Sequence, residues 1–496
     1  MKLDKKDILH IMIITIGMIF IMLSIFHTNL WFDESYSVGL ANHNFLEIWQ
    51  IGSKDVHPIL YYFILHIINF ICGNNIIAYR IFSWICASII GILGFTHIRK
   101  DFGKDVGIIF SFLAFFLPVN IVYAGEVRMY TLAMLLVTLM AIYAYRIYKN
   151  KNEKNIKNWV LFAIFSLLSA YTHYYALVTA GIINIILFIY FIKESIIEKK
   201  FTYNLKIFFI SAVAQIILYI PWVIALLAQI KHVSSGFWIV FSFPKSVIEF
   251  FNFQFTGNLG DEIYLNIIVA GVFGILICIY MICAQIRNKQ KEKPELFSIL
   301  VWILLVIAVT IASILMKKTI VYARYMLCVT GLFIFFISYT MVKKGNKYIT
   351  TLILLISLVL SIFVQLELSK VNYDENNSKG IKYIGENIQE NDIILHENDT
   401  SSFVVDVNFP NNKAYFWNKQ NWSGVEAYEA YGNNFSTESN LEKLKNYQGR
   451  IWIIYTNNQF IEDVSKELEN IEIIQTNSYE QKYHNMKYKV TLMEKD

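Results

Sequence analysis

Apolar runs of roughly twenty residues recur along this chain, and a helix needs about that length to cross the hydrocarbon core of a bilayer. They fall at 8–30, 76–98, 106–123, 127–148, 158–174, 176–193, 207–229, 263–286, 297–316, 320–342 and 347–368. Only 16% of the residues are charged and 56% are hydrophobic, a balance outside the range of ordinary soluble domains. The pattern predicts a polytopic α-helical membrane protein with about eleven transmembrane helices. The first run is flanked by Lys2, Lys5 and Lys6, is too long for a signal-peptide core and precedes no small-residue cleavage site. It reads as a retained signal-anchor helix.

Charge then sets the orientation. With the N-terminus cytosolic, the cytosolic loops collect 22 of the 30 Lys and Arg residues before residue 370. Such a bias marks the inner face. The outer loops hold Lys54, Arg128, Lys231, Lys245, Lys317 and Lys318, while Arg80 and Arg324 sit within helices. An odd number of spans carries the C-terminal part outside, in a plasma membrane. That part, from residue 370, has 13 Lys and Arg against 20 Asp and Glu, a net of −7, and the remainder has +12. Opposite signs in the two parts fit opposite sides of a membrane and do not suggest nucleic acid. The run from Pro58 to Cys72 is too short to span, so it is expected to lie on the outer face, with a second surface helix at Phe45–Ile51. Segment 31–75 is thus a long outer loop, and 231–262 a second one carrying Gly257, Gly260, Asp261 and Glu262.

Residues 1–369 form the expected membrane module and 370–496 a small extracytoplasmic α/β domain. In the latter, strand-like runs at 392–396, 403–407, 450–455 and 488–492 alternate with helical patterns at 378–388 and 461–470. The five cysteines all lie in or beside apolar runs, an odd count without zinc-type spacing, and point to no disulfide framework.

Ionisable residues gather at the outer helix ends. Asp33-Glu34 follows the first run, and a carboxylate at membrane depth is costly enough to suggest function. His57-Pro58 introduces Tyr61 and Tyr62, and Glu126-Val127-Arg128-Met129-Tyr130 lies between the third and fourth helices. His173 stands among Tyr171, Tyr174 and Tyr175, and Arg324-Tyr325 opens the tenth run. Each has a structural alternative. Asp33 and Glu34 could end a helix in water, Glu126 and Arg128 could pair at a helix start, and His57-Pro58 could be only a turn. His173 could be an interfacial aromatic and Arg324 a snorkelling anchor. Their common face favours one outward-opening site. Such a set suits glycosyl transfer from a lipid-phosphate donor. Asp33 would take the acceptor hydroxyl's proton and Arg128 and Arg324 would hold the phosphate. No Gly-rich phosphate loop indicates a nucleotide donor.

In layout the chain resembles the GT-C superfamily of polyprenyl-phosphate-sugar glycosyltransferases. The branch is that of the protein O-mannosyltransferases, aminoarabinose transferases and rhizobial lipopolysaccharide core transferases. The carrying residues are Asp33-Glu34, His57-Pro58-Ile59-Leu60-Tyr61-Tyr62 and Glu126-Val127-Arg128-Met129-Tyr130, with Ile59 standing where the family has a second Pro. The resemblance implies an inverting transferase with Asp33 as base beside Glu34. It also implies substrate-binding roles for His57, Glu126, Arg128, Tyr130, His173, Arg324 and Tyr325. The implied partners are a polyprenyl-phosphate-linked sugar donor, an envelope lipid, glycan or protein acceptor, and membrane lipid. A divalent metal is possible, with no third ligand evident beside Asp33 and Glu34. The alternative is a transporter or flippase of lipid-linked saccharides, which would call for midplane polar residues and repeat symmetry.

Overall fold

A computed structural model describes residues 3–150, 155–235, 239, 245–257, 264–287, 293–398, 402–421, 425–432 and 434–495. The chain divides into two compact units. One comprises Met1–Ile25 and Arg80–Leu366, the other Phe26–Tyr79 and Glu367–Asp496.

The first unit is helical. Among the described residues seven helices are long and apolar enough to cross a membrane: Ile76–Phe102, Tyr130–Lys149, Tyr174–Ile197, Tyr203–Val233, Pro294–Met316, Ala323–Lys343 and Lys347–Asn387, the last running on into the second unit. The other four expected runs also form helices, at Lys5–Met22, Lys104–Phe116 with Pro118–Tyr123, Ile156–Ala170 and Tyr264–Arg287. Length and composition thus carry seven of the eleven expected spans. Large apolar side chains such as Ile210, Ile216, Ile224 and Leu227 remain exposed on the Tyr203–Ser235 helix, as a lipid-facing surface requires.

Backbone accounting explains the break in the third run. Pro118 has no N–H to give the carbonyl four residues back. The Asn120 side-chain amide instead donates to the Ala114 oxygen at 3.0 Å, and the Phe116 oxygen accepts from the Ser357 hydroxyl at 3.0 Å and from Ser361. Small residues let helices approach closely here. A Cβ on Gly17 or on Gly91 would meet the same Phe115 ring at 2.3 or 2.2 Å.

The second unit holds a six-stranded sheet ordered β3-β2-β1-β4-β6-β5. Its strands are β1 (Ile393–His396), β2 (Lys413–Trp417), β3 (Phe435–Glu438), β4 (Gly449–Tyr455), β5 (Ile471–Gln481) and β6 (Met486–Lys495). The first four run parallel, and β6 and β5 add antiparallel. Ile393, Leu395, Ile451, Ile453 and Met493 bury one face against Phe460 and Val464 of the Asn458–Glu467 helix.

One expected strand needs correction. Residues 403–406 make up all but the first residue of the Ser402–Asp406 helix and Val407 begins the turn after it, with Phe403, Val404, Val405, Asp406 and Val407 all buried. A short run buried on every side has no period-2 signature, so its β-branched residues mislead. The two short helices expected between residues 31 and 75 form, at Phe45–Gly52 and Leu60–Cys72. Gly260, Asp261 and Glu262 lie outside the described residues.

Candidate functional site

In the first unit the Gly125–Met129 turn is the pivotal piece. Arg80, 1% exposed near the start of the apolar Ile76–Leu93 helix, donates through Nη1 to the Gly125 oxygen at 2.7 Å. One turn on, the Ser83 hydroxyl donates to the Glu126 oxygen at 2.7 Å. Two consecutive carbonyls of a non-helical turn are thereby fixed from the same helix face. The turn keeps Glu126 and Arg128 buried, at 8% and 3% exposure, and launches the Tyr130–Lys149 helix.

Four of the expected residues come together beside it. The Tyr130 ring lies 5.9 Å from that of His173, which lies 5.1 Å from Tyr325. The Arg324 guanidinium sits 4.9 Å over the Tyr322 ring and 5.9 Å from that of Tyr325, as cation–π contact allows. Tyr123 joins the chain at 5.4 Å from Tyr130 and is within electrostatic reach of both Glu126 and Arg324. His173 caps the Tyr174–Ile197 helix, its Nδ1 accepting from the Tyr175 N–H at 3.1 Å. With Nδ1 accepting, a neutral ring carries its proton on Nε2. The Tyr175 hydroxyl donates to the Ile320 oxygen at 2.6 Å and so anchors the strand-like approach to the Ala323–Val329 3₁₀ helix that carries Arg324.

Asp33, Glu34 and His57 belong to the other unit. Asp33 and Glu34 occupy the first turn of the Phe32–Ala41 helix, where the dipole favours negative charge. Glu34 is fully buried and accepts from the Tyr483 hydroxyl at 2.9 Å. Asp33 accepts through its backbone oxygen from the Ser37 hydroxyl at 3.2 Å. His57 pairs with Asp55, Nδ1 to Oδ2, at 3.2 Å. Among the described residues no group of three His, Cys, Asp or Glu side chains is placed to hold a metal ion.

Sequence reasoning missed Arg80, Tyr123 and Tyr483 as parts of these constellations. Arg80 had a signal, an arginine inside an apolar run. Tyr483 had none, being one of many aromatics in a polar stretch.

A family model for a 6-pyruvoyl-tetrahydropterin synthase related domain, described as a membrane protein, matches residues 57–369, more than half of the chain. The chain belongs to this family. The matched segment of this chain includes His57, Glu126, Arg128, Tyr130, His173, Arg324 and Tyr325, and begins after Asp33 and Glu34. Comparison with curated proteins gives no match. Among solved structures, the chain is similar to ArnT from Cupriavidus metallidurans bound to undecaprenyl phosphate. The TM-score is 0.61 and the identity 9%, over 98% of this chain and 97% of that one. The apo state of the same protein gives the same values. An Archaeoglobus fulgidus oligosaccharyltransferase in complex with Zn and sulfate aligns at TM-score 0.48 and 11% identity, over 96% of this chain and 72% of that one. The family member described here therefore has the GT-C fold, helical membrane part and sheet domain together.

Proposed function

We propose that the chain is an integral-membrane glycosyltransferase that moves a sugar from a polyprenyl-phosphate donor to an envelope lipid, glycan or exported protein. Residues 1–369 are the transferase module and 370–496 an extracytoplasmic domain, in a plasma membrane with the N-terminus cytosolic. The observation that carries this is the buried Glu126–Arg128 turn beside the Tyr130–His173–Tyr325–Arg324 cluster. Buried guanidinium groups need anionic partners or carbonyls, and a phosphate diester or monoester supplies several oxygens at once. The overall likeness to a structure bound to undecaprenyl phosphate adds support for a lipid-phosphate donor.

In this reading Asp33 removes the acceptor hydroxyl's proton as that oxygen attacks the anomeric carbon, and the bond to the phosphate oxygen breaks on the opposite side. Arg128 and Arg324 take up the charge left on the phosphate. The single displacement inverts the anomeric centre. Glu34 holds the base's helix turn in register, His57 and Glu126 hydrogen-bond sugar or acceptor hydroxyls, and His173 offers an Nε2–H donor. Tyr130 and Tyr325 give the sugar ring its aromatic walls.

The test uses protein purified into lipid, a panel of radiolabelled polyprenyl-phosphate sugars and a crude envelope extract. Wild type transfers label and Asp33→Asn does not, while both bind donor. A chelator arm decides whether a divalent cation takes part. Label transfer by Asp33→Asn at the wild-type rate removes the base assignment. Failure to bind or consume any donor in the panel removes the function.

A further inference from the structure

The helix that carries Asp33 and Glu34 is built into the sheet domain's own unit, and contacts from three separate parts of the C-terminal segment hold it. Phe32 stacks on Tyr431 at 6.0 Å and tilts against Phe403 at 6.4 Å. Tyr36 meets Tyr431 edge-on at 5.9 Å. Gly39 lies so close to the Ala430 carbonyl that a Cβ would be 2.3 Å from it. The third contact is the tip of the β5–β6 hairpin. There Trp31 and His484 are stacked, centroids 4.2 Å apart and planes 6° apart, and Tyr483 donates to Glu34.

The hairpin tip is fastened for that task. Lys482 pairs with Asp374 at 2.6 Å, and the Tyr483 N–H donates to the buried Asn377 side chain at 3.0 Å. His484 and Asn485 both sit at left-handed φ, +54° and +50°. Asn tolerates that region; His does so at a cost, and such outliers concentrate where geometry is needed. Here the strained residue is the one that stacks on Trp31. Tyr483 is 6% exposed and also packs edge-on against His27 at 5.0 Å, which holds its ring beside Glu34.

We propose that Tyr483 is a positioning residue for the proposed transfer, fixing Glu34 and through it the first turn that presents Asp33, so that the sheet domain's hairpin tip sets the catalytic geometry. The inference rests on the glycosyltransferase reading for its kinetic half only. Tyr483→Phe keeps the ring and its packing and removes the donor. It lowers kcat for sugar transfer by about 10-fold to 100-fold, the effect of a lost buried hydrogen bond that aims a reacting group, and leaves the donor KM unchanged. Glu34→Gln lowers kcat as well, and the double variant is no worse than the poorer single one, because both remove the same contact. Independently of turnover, Tyr483→Phe speeds hydrogen exchange in the 31–37 peptide and leaves the 76–93 helix unchanged.

Each result decides something. Normal kcat in Tyr483→Phe, multiplicative losses in the double variant, or a raised KM at constant kcat overturns the positioning role. Unchanged exchange at 31–37 overturns the fastening itself. If wild type transfers no sugar, the functional reading fails while the exchange result still judges the contact.

Discussion

Gly39→Ala is the smallest change that should separate the carboxylate helix from its support. The new Cβ would lie 2.3 Å from the Ala430 carbonyl oxygen and 3.0 Å from the Tyr431 Cα. Both obstacles are backbone, so no side-chain rotation relieves them. Carbon–oxygen contacts settle at about 3.3 Å or beyond, so the Phe32–Ala41 helix must retreat by about 1 Å. Overpacking of this kind costs about 1–3 kcal/mol, and replacing Gly in a helix returns about 1 kcal/mol, so the net loss of stability is between about 0 and 2 kcal/mol. Activity is the sharper readout. A 1 Å shift of the helix lengthens the 2.9 Å bond from Tyr483 to Glu34 past hydrogen-bonding distance, and misplacement of that size costs about 100-fold in rate. The control is Gly181→Ala in the Tyr174–Ile197 helix, where a Cβ meets nothing within 4 Å. That variant should keep full activity and gain up to about 1 kcal/mol. Transfer assays and thermal unfolding of both variants in the same lipid decide the matter. Wild-type turnover by Gly39→Ala, or an equal loss from Gly181→Ala, refutes the close-packing argument.

Three further perturbations bear on the same geometry. Arg80→Met strips the Gly125 carbonyl of a buried donor, at a cost of about 1–3 kcal/mol, and should couple to Ser83→Ala by at least about 0.5 kcal/mol in a double-mutant cycle, because both clamp one turn. His173→Phe preserves the ring contacts with Tyr130 and Tyr325 but removes the helix cap, lowering stability by about 1 kcal/mol in thermal unfolding; His173→Asn, which can cap, should recover it. The sheet domain carries two carboxyls of opposite pH sign. The hydrogen bond from Lys482 holds Asp374 below its ordinary value, so its contribution is present above that value and is lost as pH falls through the lowered one. Burial pushes Asp406 up, against the pull of His396, so its folded-state advantage exists below the ordinary value and is lost as pH rises through the raised one. Asp374→Asn should flatten the acid limb of sheet-domain hydrogen exchange and Asp406→Asn the opposite limb; the reverse assignment would contradict both.

How far the sequence reveals the fold depends on which force writes it. Helices that face lipid are specified by length and apolarity, and every one of the eleven runs forms helix. The interruption at Pro118 is written in one residue, yet a hydropathy window passes over it because Leu117 and Val119 continue the apolar count. In the sheet domain, β1, β4 and β6 are apolar and legible. Strand β5 is not, since Glu472, Gln475, Thr476, Asn477 and Glu480 leave no apolar alternation and its pairing with β6 holds it in place. A strand specified by its neighbour cannot be read from its own composition.

The same distinction governs the candidate site. Tyr130, His173, Arg324 and Tyr325 were visible because polar aromatics and arginines are anomalous at the ends of apolar helices, and tertiary packing then brings the three rings and the guanidinium together. Asp33 and Glu34 were visible for the same reason, but what holds them was not. Chain adjacency ties them to the first membrane helix, whereas Phe32 and Tyr36 bury their rings against Phe403 and Tyr431, nearly four hundred residues later. Tyr483 lies 449 positions from the carboxylate it touches. No local pattern encodes a contact of that separation; a buried Glu calls for donors, and one of them comes from the hairpin turn that also stacks His484 on Trp31. A domain that composition would mark as a separate appendage thus supplies the donor that keeps Glu34, beside the proposed base, in place.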